Sequence, residues 1–227
     1  MVSEPAEMVL WGIGTSRTMR AHWALHEASL AYRCEQVLPR SGQTQTPQYT
    51  ALNKRQKVPL LQDGQFTIGE SAAIAAYAAG KHPESRLIPQ DRLEHARWLE
   101  WSFFIMTELD ATSLYVMRRH TELEAYYGNA PDVVEKASAY FQKQRVFVDD
   151  AMSDGRPYLC GDTFSTADIL LTTCLTWAVH YGIPVGDELM KYLKRTTART
   201  AYRSAFLRNR GDGDPMRYDS GHWRHFE

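Results

Sequence analysis

The feature that most constrains this chain is a change of pattern between Gly80 and Arg92: before it, short apolar runs alternate with helical stretches, and after it only helical periodicities remain. Met8-Val9-Leu10-Trp11 reads as a short buried strand broken by Gly12 and Gly14. From Ser16 to about Ala28 the pattern is helical, with Met19, Trp23 and Leu30 at spacings that fit one face. Tyr32 to Leu38 alternates around Tyr32, Cys34 and Gln36 as a second strand, and Pro39 with the polar run from Arg40 to Thr46 marks a loop. Val58-Pro59-Leu60-Leu61 and Gln65-Phe66-Thr67-Ile68 flank Asp63-Gly64, and such a pair between apolar runs predicts a hairpin because both residues tolerate positive φ. An alanine-rich helix follows from Ser71 to Ala79, so the expected order is β-α-β, a connecting segment, then β-β-α.

The second part carries no comparable strands. Arg92 to His120 presents Leu93, Trp98, Trp101, Ile105, Leu109 and Leu114 as one long amphipathic helix. Further helices are expected over Pro131 to Met152, with proline in the first turn, over Ser165 to about His180, and over Leu189 to Leu207. Pro83 and Pro89 bracket a polar linker, which predicts one domain over residues 1–82 and an all-helical one over 90–227.

Charge narrows the class of partner. The chain has 26 basic and 27 acidic residues and a formal net charge of −1, so no global field draws it to nucleic acid or to an anionic membrane. No apolar run reaches the roughly 18 residues needed to span a bilayer, and the acidic start Met1-Val2-Ser3-Glu4-Pro5 is unlike a signal peptide; a cytoplasmic location is expected. Cys34, Cys160 and Cys174 are an odd count without close spacing, which argues against a disulfide framework or a CxxC redox motif. The eight histidines, His222 and His225 near the end among them, show no metal-ligand spacing, and no metal is expected.

Three local motifs bear on chemistry. Thr15-Ser16-Arg17-Thr18-Met19-Arg20 lies between the first strand and the first helix, where unpaired N–H groups and the helix dipole favour negative charge. A hydroxyl there is either a helix cap or a group placed to meet an anion. Lys57-Val58-Pro59-Leu60 puts a proline in an apparent strand, as an edge residue or as a cis-proline that turns the Val58 backbone toward a ligand. Glu70-Ser71 opens the alanine-rich helix; it is a capping serine beside a solvated glutamate, or a pair suited to an α-amino acid head.

Taken in order, these motifs resemble the glutathione transferase superfamily. Thr15 and Ser16 precede Arg20 as the activating hydroxyl does in members that use Ser or Thr, and Asn53, Lys57, Val58, Pro59 and Leu60 are similar to the Asn-Pro-x-Gly-Lys-Val-Pro segment, with Lys54 and Gln56 replacing Pro and Gly. Glu70-Ser71, Ile74 and Tyr77 match Glu-Ser-x-x-Ile-x-x-Tyr, and residues 161–168, Gly-Asp-Thr-Phe-Ser-Thr-Ala-Asp, look like the signature before the central buried helix. In that signature Ser165 caps the helix, Asp168 bonds back from N3, and Phe164 with Ile169 forms a hydrophobic staple, which is a folding device and not a catalytic one. The resemblance covers about residues 8 to 207.

It implies an α/β thioredoxin-like N-terminal domain and an all-α helical bundle, glutathione as co-substrate, a small electrophile as second substrate, and a homodimer. Ser16, preferred, or Thr15 would activate the glutathione thiol. The Val58 backbone would pair with the cysteinyl unit beside a cis Pro59, Glu70 and Ser71 would hold the γ-glutamyl end, and Gln56 or Lys57 the glycyl carboxylate. No cysteine occupies the activating position, which disfavours a thiol transferase. Tyr115, Met117, Arg118, Tyr126 and Tyr127 either line a second-substrate pocket or pack a helical core. A glutathione-dependent isomerase, dehalogenase or ether-cleaving enzyme, or a non-catalytic transferase-like module, fits the same motifs.

Overall fold

A computed structural model describes residues 8–210; the first seven and last seventeen, His222 and His225 included, lie outside the described residues. The chain forms two compact units, and their division departs from the expected one at the end of the chain. The first contains the described chain up to Ile88 together with the last described helix, and the second runs from Pro89 to Thr197.

The first unit is built on a four-stranded sheet of order β2-β1-β3-β4, with β1 at Met8–Trp11, β2 at Arg33–Glu35, β3 at Leu60–Asp63 and β4 at Phe66–Gly69. β1 runs parallel to β2 and antiparallel to β3, so Leu10 faces both Cys34 and Leu61; β3 is antiparallel to β4, with Leu61 opposite Ile68. Leu10 and Leu61 are fully buried, as central strand positions covered by helices must be. Parallel β1 and β2 need a crossover, which α1, Ser16–Glu27, supplies. The second strand is shorter than the alternation of residues 32–38 predicts. The hairpin is present, but only Gly64 takes positive φ; Asp63 stays in the ladder opposite Phe66 and accepts the Tyr77 hydroxyl at 2.7 Å.

α1, Ser16–Glu27, ends close to the expected Ala28, but Leu30, counted on its apolar face, falls outside it. Ser29 adopts φ +53, and the Leu30 N–H bonds back to the Leu25 carbonyl, so Leu30 lies beyond the helix. Met19 and Trp23 are fully buried on its inner face. The connecting segment holds a short helix, α2 (Pro47–Leu52), capped by Thr46. α3, Ser71–Lys81, buries Ile74, Ala75 and Ala78.

In the second unit the expected helix from 92 to 120 is one run with a wider middle: α4 (Arg92–Phe104), a π-helical stretch (Ile105–Leu114) and α5 (Tyr115–His120). The five-residue step from Leu109 to Leu114 suits the π turn, and Ile105, Leu109 and Leu114 are all buried. After the short α6 (Glu124–Tyr127), α7 covers Pro131–Met152 with proline in its first turn. α8, Thr166–His180, is buried along nearly its whole length. Its predicted capping box is present: the Ser165 N–H and hydroxyl both donate to Asp168 Oδ2, at 2.8 and 2.9 Å.

The helix predicted over 189–207 is two. α9, Asp187–Thr197, belongs to the second unit, and α10, Thr200–Arg210, to the first. Arg199, at the break, forms a two-pronged ion pair with Glu27 at the end of α1, and Tyr202 meets the Trp23 ring edge-on with centroids 4.9 Å apart. The last helix therefore shares the core of the sheet domain.

Candidate active site

Four pieces of the first unit converge: the turn from β1 into α1, the loop before β3, the start of α3, and the end of α10. Thr15 is the N-cap of α1. Its hydroxyl accepts the Thr18 N–H at 3.0 Å, while the Thr18 hydroxyl accepts the Thr15 N–H at 2.9 Å, a reciprocal box built from two threonines. Ser16 follows at N1, mostly buried, and its hydroxyl has no hydrogen-bond partner among the described residues. The two candidate hydroxyls thus have different employment.

The turn is pressed against the second piece. Gly12 sits at φ +119, and a Cβ there would fall 2.6 Å from the Cβ of Val58, so only glycine allows this approach. Val58-Pro59 is a cis peptide. Val58 lies just outside the β3 ladder, and no hydrogen bond among the described residues uses its N–H or carbonyl. The preceding Lys57 carbonyl is held by the Tyr49 hydroxyl at 2.7 Å and by Asn53 Nδ2 at 2.8 Å, which explains the asparagine in the motif. Gln56 has φ +52 and donates its side-chain amide to Thr50 Oγ1 at 3.0 Å; the Lys57 side chain is exposed.

The third piece is the start of α3. Glu70 takes φ +64, a conformation that residues with a Cβ seldom adopt, and such residues concentrate where a ligand is bound. Its exposed carboxylate pairs with Arg55. No side chain caps the helix, and the N–H groups of Ser71, Ala72 and Ala73 have no partner among the described residues. This is an open helix N-terminus of the kind that receives a carboxylate. Fully buried Arg20, one turn after Ser16, reaches Ser71 Oγ at 3.4 Å and links the two helix starts.

Two residues that the sequence reading missed complete the frame. Buried His22 lies 3.1 Å from the Gly12 carbonyl through Nε2, which fixes Nδ1 as the acceptor of the Tyr32 hydroxyl at 2.8 Å. Burial lowers the pKa of His22 to about 3, so it stays neutral. Asn209 of α10 bonds the Gly14–Thr18 turn. Neither carries a sequence signal: His22 is a lone histidine inside a helix, and Asn209 lies far from every motif.

Of the candidates for a second-substrate pocket, Met117 and Arg118 are buried in the second unit, with Arg118 Nε 3.0 Å from Glu122. Tyr126 and Tyr127 are exposed, and Arg119 stacks over Tyr115 and Tyr127. The three cysteines carry free thiols; burial raises Cys160 to about 11, and Cys174 is buried in α8. Among the described residues no group of three or more His, Cys, Asp or Glu is placed to hold a metal ion, and no helix is long and apolar enough to cross a membrane.

Known proteins are similar to this chain in sequence and fold. Residues 6–80 match the family model for the glutathione S-transferase N-terminal domain, and residues 104–200 match the model for its C-terminal domain. Glutathione S-transferase GstA of Escherichia coli O157:H7 is 31% identical over 158 residues, 68% of this chain and 73% of that protein. Glutathione S-transferase theta-1 of Rattus norvegicus is 26% identical over 160 residues, 69% of this chain and 67% of that one. The theta-class enzyme of Xanthomonas axonopodis pv. citri, solved with glutathione bound, is 27% identical and superposes with a TM-score of 0.75 over 90% of this chain and 98% of its own. With both family models matched in order, and the sheet, the cis-proline loop and the open start of α3 in place, the chain belongs to the glutathione S-transferase family.

Proposed function

We propose that this chain binds glutathione and transfers it, as the thiolate, to a small electrophilic and mostly apolar substrate, with Ser16 as the group that stabilises the thiolate. One observation carries the reading: at the start of α1 the Thr15 hydroxyl is engaged by the capping box, whereas the Ser16 hydroxyl beside it has no partner. The glutathione thiol has an intrinsic pKa near that of cysteine, about 8.5, and lowering it by two units takes ~2.7 kcal/mol of preference for the anion. A charge-assisted hydrogen bond contributes roughly 1.5–3 kcal/mol, so one hydroxyl at a helix N-terminus suffices.

The unpaired Val58 N–H and carbonyl suit the cysteinyl backbone, as an extra strand would pair there. The open start of α3 suits the γ-glutamyl carboxylate, with Ser71 as donor and Glu70 receiving the amino group. Gln56 and Lys57 lie on the same loop for the glycyl carboxylate. We place the protein in the cytoplasm as a homodimer, on family grounds.

The test is spectroscopic. The ultraviolet absorbance of bound thiolate, titrated against pH, should show the pKa rising by about one to two units in Ser16→Ala, from the loss of a bond of roughly 1.5–3 kcal/mol. Calorimetry should find glutathione affinity nearly unchanged in that variant and weakened several-fold in Ser71→Ala. An unchanged thiol pKa in Ser16→Ala sinks the assignment of Ser16.

A further inference from the structure

The turn that presents Ser16 is weakly specified by its own residues. It contains Gly12 and Gly14, at φ +119 and +81, in conformations that cost glycine little but that do not hold themselves. Gly12 is held from nearby, its N–H by the Glu35 carbonyl at 2.9 Å and its carbonyl by His22 Nε2 at 3.1 Å, whereas what holds Gly14 comes from the far end of the chain. Asn209 is fully buried in the last turn of α10. Its backbone carbonyl, left over at the helix C-terminus, accepts the Gly14 N–H at 2.9 Å. Its Oδ1 accepts the same N–H at 3.2 Å and the Thr18 hydroxyl at 2.7 Å, and its Nδ2 donates to the Thr15 carbonyl at 3.2 Å.

The pattern uses both ends of the amide. An acceptor meets Gly14 and Thr18, a donor meets Thr15, and the three points lie before, at and after the cap. Within this network Gly14, Thr15 and Thr18 are all engaged, and Ser16, which lies between them, alone keeps an unengaged hydroxyl. A hydrogen bond to a bound thiolate depends steeply on the direction of its donor, and a misplacement of about 1 Å in a supporting group can cost on the order of a hundredfold in rate.

We propose that Asn209 is a positioning residue for the Ser16 hydroxyl: it clamps the Gly14–Thr18 turn from α10 so that Oγ stands in line with the glutathione sulfur. The inference rests on the reading that Ser16 stabilises the thiolate. It assigns to α10 a part in the chemistry without any contact with the ligand.

The experiment compares Asn209→Ala, Asn209→Asp and Ser16→Ala with the unaltered protein, by thiolate absorbance against pH and by glutathione calorimetry. Asn209→Ala should raise the pKa of the bound thiol by about one unit and lower kcat at pH 7 about tenfold, with recovery at alkaline pH. The glutathione Kd should stay within about twofold, because the α3 end of the site is untouched. Asn209→Asp keeps the acceptor but sets a second, charged oxygen against the Thr15 carbonyl, so it should not rescue the site and should raise the thiol pKa at least as far as Asn209→Ala does. In the double variant with Ser16→Ala, Asn209→Ala should add no further shift, since it acts through Ser16. If Asn209→Ala fails to fold, Thr18→Val opens the same network from the other side and should give a shift of the same sign. A lowered melting temperature with the thiol pKa unmoved would make Asn209 merely structural and overturn the proposal, as would a full extra shift in the double variant. If Ser16→Ala itself leaves the pKa unmoved, the reading beneath the proposal fails instead.

Discussion

α1 and α8 begin with the same device in two very different states of completion. At α8, Asp168 is fully buried and its carboxylate accepts four bonds: the Ser165 N–H and hydroxyl on one oxygen, the Leu159 N–H and the Tyr192 hydroxyl on the other. Nothing in that box is left for a ligand. At α1 the box is closed between Thr15 and Thr18, and the serine that follows keeps its hydroxyl unengaged. A helix N-terminus thus serves folding where all its donors and acceptors are consumed internally. It becomes a candidate for chemistry where one group of the right kind is spared.

The sharpest way to break the contrast is to open the closed box. Asp168→Ala would strand the Ser165 N–H and the Leu159 N–H in the interior, at about 1–3 kcal/mol each, and leave the Tyr192 hydroxyl only its 3.4 Å contact with the backbone carbonyl of residue 168, so denaturant unfolding should show a loss of at least about 2 kcal/mol. Protein that remains folded should bind glutathione with an unaltered thiol pKa. A shifted pKa there would end the separation of roles. Ser16→Ala should do the reverse: stability within about 0.5 kcal/mol of the parent, but turnover at pH 7 down by roughly tenfold to a hundredfold, matching a thiol pKa raised by about one to two units.

His22 bears on the support behind the turn. Its folded pKa, about 3, lies below the ordinary 6.5, so the unfolded chain binds the proton first and stability falls as pH drops below 6.5. Between pH 7 and pH 5 this one group should remove about 2 kcal/mol, and denaturation curves of His22→Gln should lack that component. Equal slopes for the two proteins would show that His22 is not buried as a neutral imidazole. Thr15→Ala should give the smallest effect: about 1 kcal/mol of stability from the lost cap, with little change in the thiol pKa. If Thr15→Ala moves the thiol and Ser16→Ala does not, the roles belong the other way round.

The legibility of the sequence differed along the same line. Elements whose cause is local were readable: the strand Met8–Trp11, the hairpin at Gly64, the proline start of α7 and the Ser165–Asp168 box all depend on neighbours within a few residues. The motifs around Ser16, Val58 and Ser71 were readable as candidates, yet the choice between cap and ligand group at Thr15 and Ser16 depends on which hydroxyl the N3 amide takes. Asn209 was not readable, because its bond to Gly14 spans 195 positions and an asparagine inside a helix has no pattern of its own. The division of residues 189–207 was hidden for a related reason. Apolar spacing continues across Ala198 and Arg199, while the two halves face different cores and Arg199 is held by Glu27.

That division has a consequence for how the molecule comes into being. A polypeptide leaves the ribosome from its N-terminus, so the four strands of the sheet, the cis-proline loop and the starts of α1 and α3 emerge within the first 81 residues. The partner of Gly14 emerges only when residue 209 does, after the whole second unit has been made. A product arrested, clipped or spliced short of α10 would contain every residue assigned to ligand binding and still lack the brace on its first turn. On the reading that Ser16 stabilises the thiolate, the order of synthesis leaves its turn without this brace until residue 209 has been made.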